Sequence, residues 1–281
     1  MGLKQDLVYR VARRWISGKD LSGGIEGARH ANAAGMSAIL NYLGEDVPDS
    51  TAADREFDEY LALQTAIHRG DISGCVSVKL TQVGLMVDRS FLMEKIEALA
   101  SNAESMHQFL WLDMEGSRFT EDTIEVYLKL LQAHPLVGLA LQAYMKRSEG
   151  DLSKLLDAGA RVRLVKGAYR EPHGLVLSSK EEVRRNYSKL MTMLFDRGKG
   201  FAIGTHDSSL IDQARAISSD HRADFEFQML KGIRDDLKPG LIAAGFKVAE
   251  YIPYGDQWYP YSMRRMKEHP SNLWLLLRSM L

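Results

Sequence analysis

Eight strand-like runs alternating with eight helix-like segments predict an α/β chain folded as a distorted (β/α)8 TIM-like barrel, with a helical N-terminal lead-in. Two further observations agree. Most of the helix-like segments open on a capping signal, and no strand-like run is followed by a phosphate-binding glycine signature. An open doubly wound sheet, the competing architecture, would need a G-x-G-x-x-G or Walker A pattern after one of its strands.

In chain order, residues 1–34 form the lead-in. The first strand-like run, AILNYL (38–43), precedes an amphipathic segment from Thr51 to His68. CVSVKL (75–80) precedes Asp88 to Met106, and FLWLDM (109–114) precedes Thr120 to His134, with a capping signal at Thr120 in FTEDTIE. VGLALQAY (137–144) is followed by Leu152 to Ala158. VRLVKG (162–167) is followed by Lys180 to Arg197, where SSKEEV predicts a capping box at Ser179. FAIGTH (201–206) leads to Ser208 to Ser219, capped near Asp207, and FEFQML (225–230) leads to Asp235 to Ala244. The last run, FKVAEYI (246–252), precedes Pro260 to Glu268, whose proline suits a first helical turn. With no linker, low-complexity tract or longer repeat, residues 1–281 read as a single domain.

Composition narrows the function classes. A chain with 45% hydrophobic and 26% charged residues reads as an ordinary soluble globular protein. Its net charge of −1 argues against a dedicated nucleic-acid binder. A single cysteine, Cys75, excludes an internal disulfide framework and a cysteine-ligated zinc. The first residues, MGLKQDLVYRVARRW, mix charge into the apolar positions of any secretory core, and Asp6 stands where a myristoylation motif needs Ser or Thr. No apolar run reaches the roughly 18 residues of a membrane span. NLWLLLRSML (272–281) is too short to span and reads as a packed helix.

In a barrel the functional face lies at the C-terminal ends of the strands. The strand-like runs end in Lys79, Asp113 and Glu115, Gln142, Arg163 and Lys166, His206, Gln228 and Tyr251. Singly, each has a bland explanation: Lys79 can snorkel, Asp113 can cap a loop, His206 can be a satisfied core histidine. Gathered around one axis, they predict a polar site whose charges must pair, because an unpaired buried ion costs several kcal/mol, roughly. Tyr261, Arg264, Arg265 and Glu268 follow at helical spacing on the last segment. Leaning over the barrel mouth opposite Lys79, this stripe would hold a small carboxylate or phosphate; the alternative is a solvent-facing stripe.

VRLVKGAYREP, SVKL followed by TQVG, WLDME, LALQAY, GTHD, FEFQMLKGIRDDL and YIPYGDQWYPYSMRR together resemble the proline dehydrogenase family, in order, from Lys79 to Arg265. The resemblance implies oxidation of L-proline to Δ1-pyrroline-5-carboxylate by hydride transfer to FAD, with electrons passed to a membrane quinone. The chain length suggests the monofunctional branch, without an aldehyde dehydrogenase domain. It further implies a cytoplasmic enzyme with peripheral contact to the inner face of the cell membrane, and functional coupling to a pyrroline-5-carboxylate dehydrogenase. Position by position, Lys79, Arg264 and Arg265 match the residues that hold the substrate carboxylate, and Tyr251 and Tyr261 match aromatics that wall the proline ring. Asp113 matches the acid that orders this basic group, and Arg163 the arginine that hydrogen-bonds flavin N5. Met114, Gln142, Lys166, Gly167, Ala168, Thr205, His206 and Glu268 match further FAD contacts. Arg170 departs from the tryptophan often found there in bifunctional members and is assigned nothing. Two other readings compete: a metal-assisted barrel hydrolase or aldolase using Asp113, Glu115, His206 and Asp207, and an inactive barrel kept as a binding protein.

Overall fold

A computed structural model describes residues 3–221 and 223–268, with side chains described from residue 8 to residue 263 apart from residue 222. The lead-in contributes α1 (Leu3–Ala12) and α2 (Leu21–Ala33). Eight strand–helix units follow: β1 (Ser37–Tyr42) with α3 (Ser50–Arg69), β2 (Gly74–Val78) with α4 (Arg89–Ser105), and β3 (Leu110–Leu112) with α5 (Thr120–Leu131). Then come β4 (Val137–Gln142) with α6 (Ser148–Asp157), β5 (Arg161–Val165) with α7 (Lys180–Arg197), and β6 (Phe201–Gly204) with α8 (Ser208–Asp220). β7 (Phe225–Leu230) with α9 (Lys238–Ala243) and β8 (Lys247–Tyr254) with α10 (Trp258–Glu268) complete the series. All eight strands are parallel, each bonds its successor, and β8 returns to β1, closing the barrel.

Closure explains why these strands read as near-continuous apolar runs. Helices cover the outer face and side chains fill the inner one, so both faces are buried. The larger core lies between barrel and helices, around Leu40, Val76, Leu112, Leu139, Leu164, Ile203 and Phe227. A smaller cluster of Ile39, Trp111, Ala202 and Ala249 fills the barrel itself, with Cys75, Phe109 and Tyr251 packed against it. A third cluster joins the lead-in to the last helix: Val8, Val11, Ala12, Trp15 and Ile16 pack with Leu43 and Trp258. There the buried Trp15 Nε1 donates to Ser262 Oγ at 3.1 Å.

Local signals were good guides to most boundaries. Ser179 and Glu182 form the expected capping box. Asp207 caps α8 by accepting from the Ser209 N–H at 3.1 Å. Thr120 is a correction: its hydroxyl is buried with no partner, and the N-cap position falls to Phe119, which makes no side-chain bond. A 3-10 turn at Ser117–Phe119 already leads the chain into the helix, so no capping oxygen is needed. α6 begins at Ser148, four residues before the expected Leu152, and α10 begins at Trp258, leaving Pro260 as its third residue. Arg264, Arg265 and Glu268 lie on α10, but their side chains are outside the described residues, as is the NLWLLLRSML segment.

Candidate functional site

The barrel interior is polar toward the C-terminal ends of its strands, and strand alternation decides which side chains enter it. Asn41 on β1, Ser77 on β2, Gln142 on β4, Arg163 on β5, Gln228 on β7 and Tyr251 on β8 share the inward parity. Lys79 and Asp113 continue it one residue beyond β2 and β3. Arg163, Gln228 and Tyr251, read from the sequence as strand ends, stand inside their strands. The strands run past them because the closed ladder keeps bonding up to the rim. Their side chains therefore rise from the barrel's middle layer.

Asp113 is the hub. Its carboxylate accepts from Tyr251 Oη at 2.6 Å and from Ser77 Oγ at 2.9 Å, and pairs with the Arg163 guanidinium and with Lys79 Nζ at 3.7 Å. Burial by itself would raise this carboxyl. The nearby Arg163 and Lys79 charges, with the Tyr251 and Ser77 hydrogen bonds, outweigh it and hold the group below its ordinary value. Arg163 Nη2 also donates to Ser77 Oγ at 2.9 Å, and Nη1 to Gln228 Oε1 at 3.3 Å. Its guanidinium carbon lies 5.0 Å from the centre of the Trp111 ring and 5.5 Å from that of Tyr251, so aromatic faces contact the cation as well. Lys79 Nζ reaches Asn41 Oδ1 at 3.3 Å. The Tyr251 phenol is pushed well above its usual range by burial first and by the adjacent Asp113 charge second, which keeps it a donor.

Around this hub, Gln142 Nε2 donates to the Met114 carbonyl at 3.3 Å, while Gln142 Oε1 is buried without a partner. Lys166, just past β5, bonds Asp207 at 2.7 Å, and Arg184 reaches the same carboxylate at 3.1 Å. Gly167 has φ 106°, and a Cβ there would collide with the Tyr144 ring, so this turn requires glycine. Ala168 is exposed in the same turn. Thr205 Oγ1 accepts from the Asp207 N–H at 3.2 Å, and His206 Nε2 accepts from the Leu230 N–H at 2.9 Å.

Lys79, Asp113, Arg163 and Tyr251 thus come together as expected. Tyr261, on α10, is half-buried and packs against the Trp15–Trp258 cluster of the lead-in. The acids of the metal reading do not converge. Glu115 accepts from the Thr81 hydroxyl at 2.6 Å and backbone N–H at 3.1 Å, Asp207 is engaged by Lys166 and Arg184, and His206 Nε2 takes the Leu230 N–H. Among the described residues no group of His, Cys, Asp and Glu could hold a metal ion. Sequence reasoning passed over Asn41 and Ser77, which bond Lys79, Asp113 and Arg163. Their signal was present: each is a polar residue at the inward parity of a strand that is otherwise largely apolar.

A closed parallel barrel with ion pairs drawn into its interior toward the strands' C-terminal ends defines a TIM-barrel enzyme. Comparison with known proteins narrows this. The family model described as proline dehydrogenase matches residues 25–274. Proline dehydrogenase 2 of Bacillus subtilis is 31% identical, over 99% of this chain and 95% of its own length. Proline dehydrogenase of Deinococcus radiodurans is 33% identical, over 99% of this chain and 93% of its own. Among solved structures, proline utilization A (PutA) from Bdellovibrio bacteriovorus superposes with a TM-score of 0.87 at 21% identity, a likeness of fold. The match covers 92% of this chain and 32% of that longer one, so the chain spans about a third of its length. The chain belongs to the proline dehydrogenase family, and its chemistry is the oxidation of proline.

Proposed function

We propose that this barrel oxidises L-proline to Δ1-pyrroline-5-carboxylate at the Asp113 hub, using FAD and passing electrons onward to a quinone. The observation that carries the reading is the buried group of Asp113, Arg163, Lys79 and Tyr251 within the barrel. It combines fixed cations, a fixed carboxylate and an aromatic wall, which suits a small zwitterionic ring.

The residues fit a flavin. Gln142 Oε1 is a buried acceptor in want of a donor, Gly167 lets backbone approach closely, and Arg163 is a fixed cation in the barrel's middle layer. When bound, FAD supplies the two-electron acceptor for the carbon beside the proline nitrogen. Arg163 would hold its guanidinium where negative charge grows, and Asp113 and Gln228 keep it from swinging away. Lys79, with Arg264 and Arg265, would hold the substrate carboxylate, and Tyr251 would wall the ring. Fixing the ring at both ends sets the distance and angle on which hydride transfer depends. Gln142, Met114, Lys166, Gly167, Ala168, Thr205, His206 and Glu268 would serve as cofactor contacts, and Tyr261, seated against the lead-in cluster, would join Tyr251 in walling the ring.

Contact with a quinone-bearing membrane would be peripheral; among the described residues no helix is long and apolar enough to cross one. A pyrroline-5-carboxylate dehydrogenase would consume the product. The test is a visible spectrum of the purified protein before and after anaerobic addition of L-proline. Flavin bands that bleach support the reading. A flavin that ignores proline refutes the substrate, and a protein that binds no added FAD refutes the cofactor.

A further inference from the structure

Arg163 is held from two sides, by Asp113 and by Gln228, and what lies behind Gln228 has no part in the site described above. On the other side, Gln228 Oε1 accepts from Arg163 Nη1 at 3.3 Å, and Gln228 Nε2 donates to Glu226 Oε1 at 2.6 Å. Glu226 and Gln228 are two residues apart on β7, so both face into the barrel. β6 lies between them and Arg163, and its registered inward residue is the small Ala202, bonded in row to Arg163 on one side and Glu226 on the other. The next inward position is Gly204, where a Cβ would stand 3.7 Å from Arg163 Cγ. Small residues on β6 therefore leave the passage through which β5 and β7 side chains meet. Lys247 on β8 pairs in register with Glu226 and bonds Asp224 at 2.6 Å.

We infer that Glu226 is a positioning residue for the proline reaction, acting through the Gln228 amide to fix Arg163. A glutamine amide has one accepting end and one donating end. Only its oxygen can face a guanidinium, which carries donors alone. The Glu226 carboxylate, an acceptor, takes the amide nitrogen and so locks the oxygen toward Arg163. Without that carboxylate the amide can turn and set donor against donor, freeing Nη1. The charge of Glu226 also stands behind Arg163 and offsets part of its field at the reacting centre.

This inference rests on the reading of Arg163 as a residue at the flavin, and the experiment separates the two. Wild type, Glu226→Gln and the exchanged double variant Glu226→Gln with Gln228→Glu are compared as FAD-loaded protein at pH 8. In the exchanged protein a carboxylate at 228 faces Arg163 directly and an amide at 226 donates to it. For Glu226→Gln, replacing a charged group that only accepts by an amide that can present either end to Gln228 should slow flavin reduction by proline about tenfold, with KM changed less than about twofold. The midpoint potential of the bound flavin should rise, because a negative charge near the centre is gone. The double variant should recover the rate. An unchanged rate and potential in Glu226→Gln, a loss wholly in KM, or a double variant as slow as the single one would each overturn the inference. A wild type that does not bleach with proline would instead remove the functional reading beneath it.

Discussion

Asp113→Asn removes the one negative charge that Arg163 and Lys79 share while keeping the side chain's size. Arg163 is 4% exposed, and Lys79 and Asp113 are 13% and 14% exposed, so solvent screens these pairs little. Breaking a buried pair by neutralising one partner costs about 3–5 kcal/mol, because the other charge stays buried. The amide oxygen of Asn can still accept one bond, which favours the lower end, about 3 kcal/mol. At roughly 2.1 cal/mol/K of unfolding entropy per residue, 281 residues convert this into a melting temperature lower by about 5 °C. The pH dependence is set by the direction of the shift. The folded-state carboxyl lies below the unfolded value, so its stabilisation is present above that value and lost only as pH falls through the lower, folded one. The difference between wild type and Asn should therefore be the same at pH 5.5 and pH 8. Differential scanning fluorimetry at both values, with FAD present, makes the measurement. A difference below about 1 °C, or one that disappears between those two pH values, would refute the account of Asp113 as the charge that holds the cluster together.

Glu115 should behave in the opposite sense. Burial is the main cause that pushes its carboxyl up to about 7, so the folded state holds a proton the unfolded chain has lost, and stability falls as pH rises through that window. Relative to wild type, Glu115→Gln should thus gain about 3 kcal/mol, or about 5 °C, between pH 4.5 and pH 8; parallel melts at the two pH values would contradict this. Arg264→Met should raise KM for proline about 10- to 100-fold with FAD still bound, and an unchanged KM removes Arg264 from the carboxylate clamp. Tyr251→Ser should improve the use of 4-hydroxyproline relative to proline by opening the ring wall, at a cost of about tenfold or more in rate from the lost Asp113 bond. Steady-state kinetics with both substrates decide it, and an unaltered ratio counts against the steric argument.

Much of the architecture was legible because it is written in short-range patterns. The Ser179 box, the Asp207 cap and the apolar strand runs depend on neighbours a few residues away, and each stands where local chemistry places it. Thr120 misled because a 3-10 turn supplied another route into the helix, which no local motif announces. The site was half legible. Lys79, Asp113, Arg163 and Tyr251 could be named as polar residues near strand ends, and the family resemblance gave them roles. Their pairing could not be read, since Asp113 meets Arg163 across 50 residues of chain and Tyr251 across 138. Barrel closure brings those strands around one axis, and strand parity then decides which side chains enter. The same closure lets Gln228 on β7 reach Arg163 on β5 past the small Ala202 of β6. Local propensity and alternation are properties of the sequence itself. The partner of a buried charge is fixed by the one register in which eight strands close, and only the tertiary structure holds that.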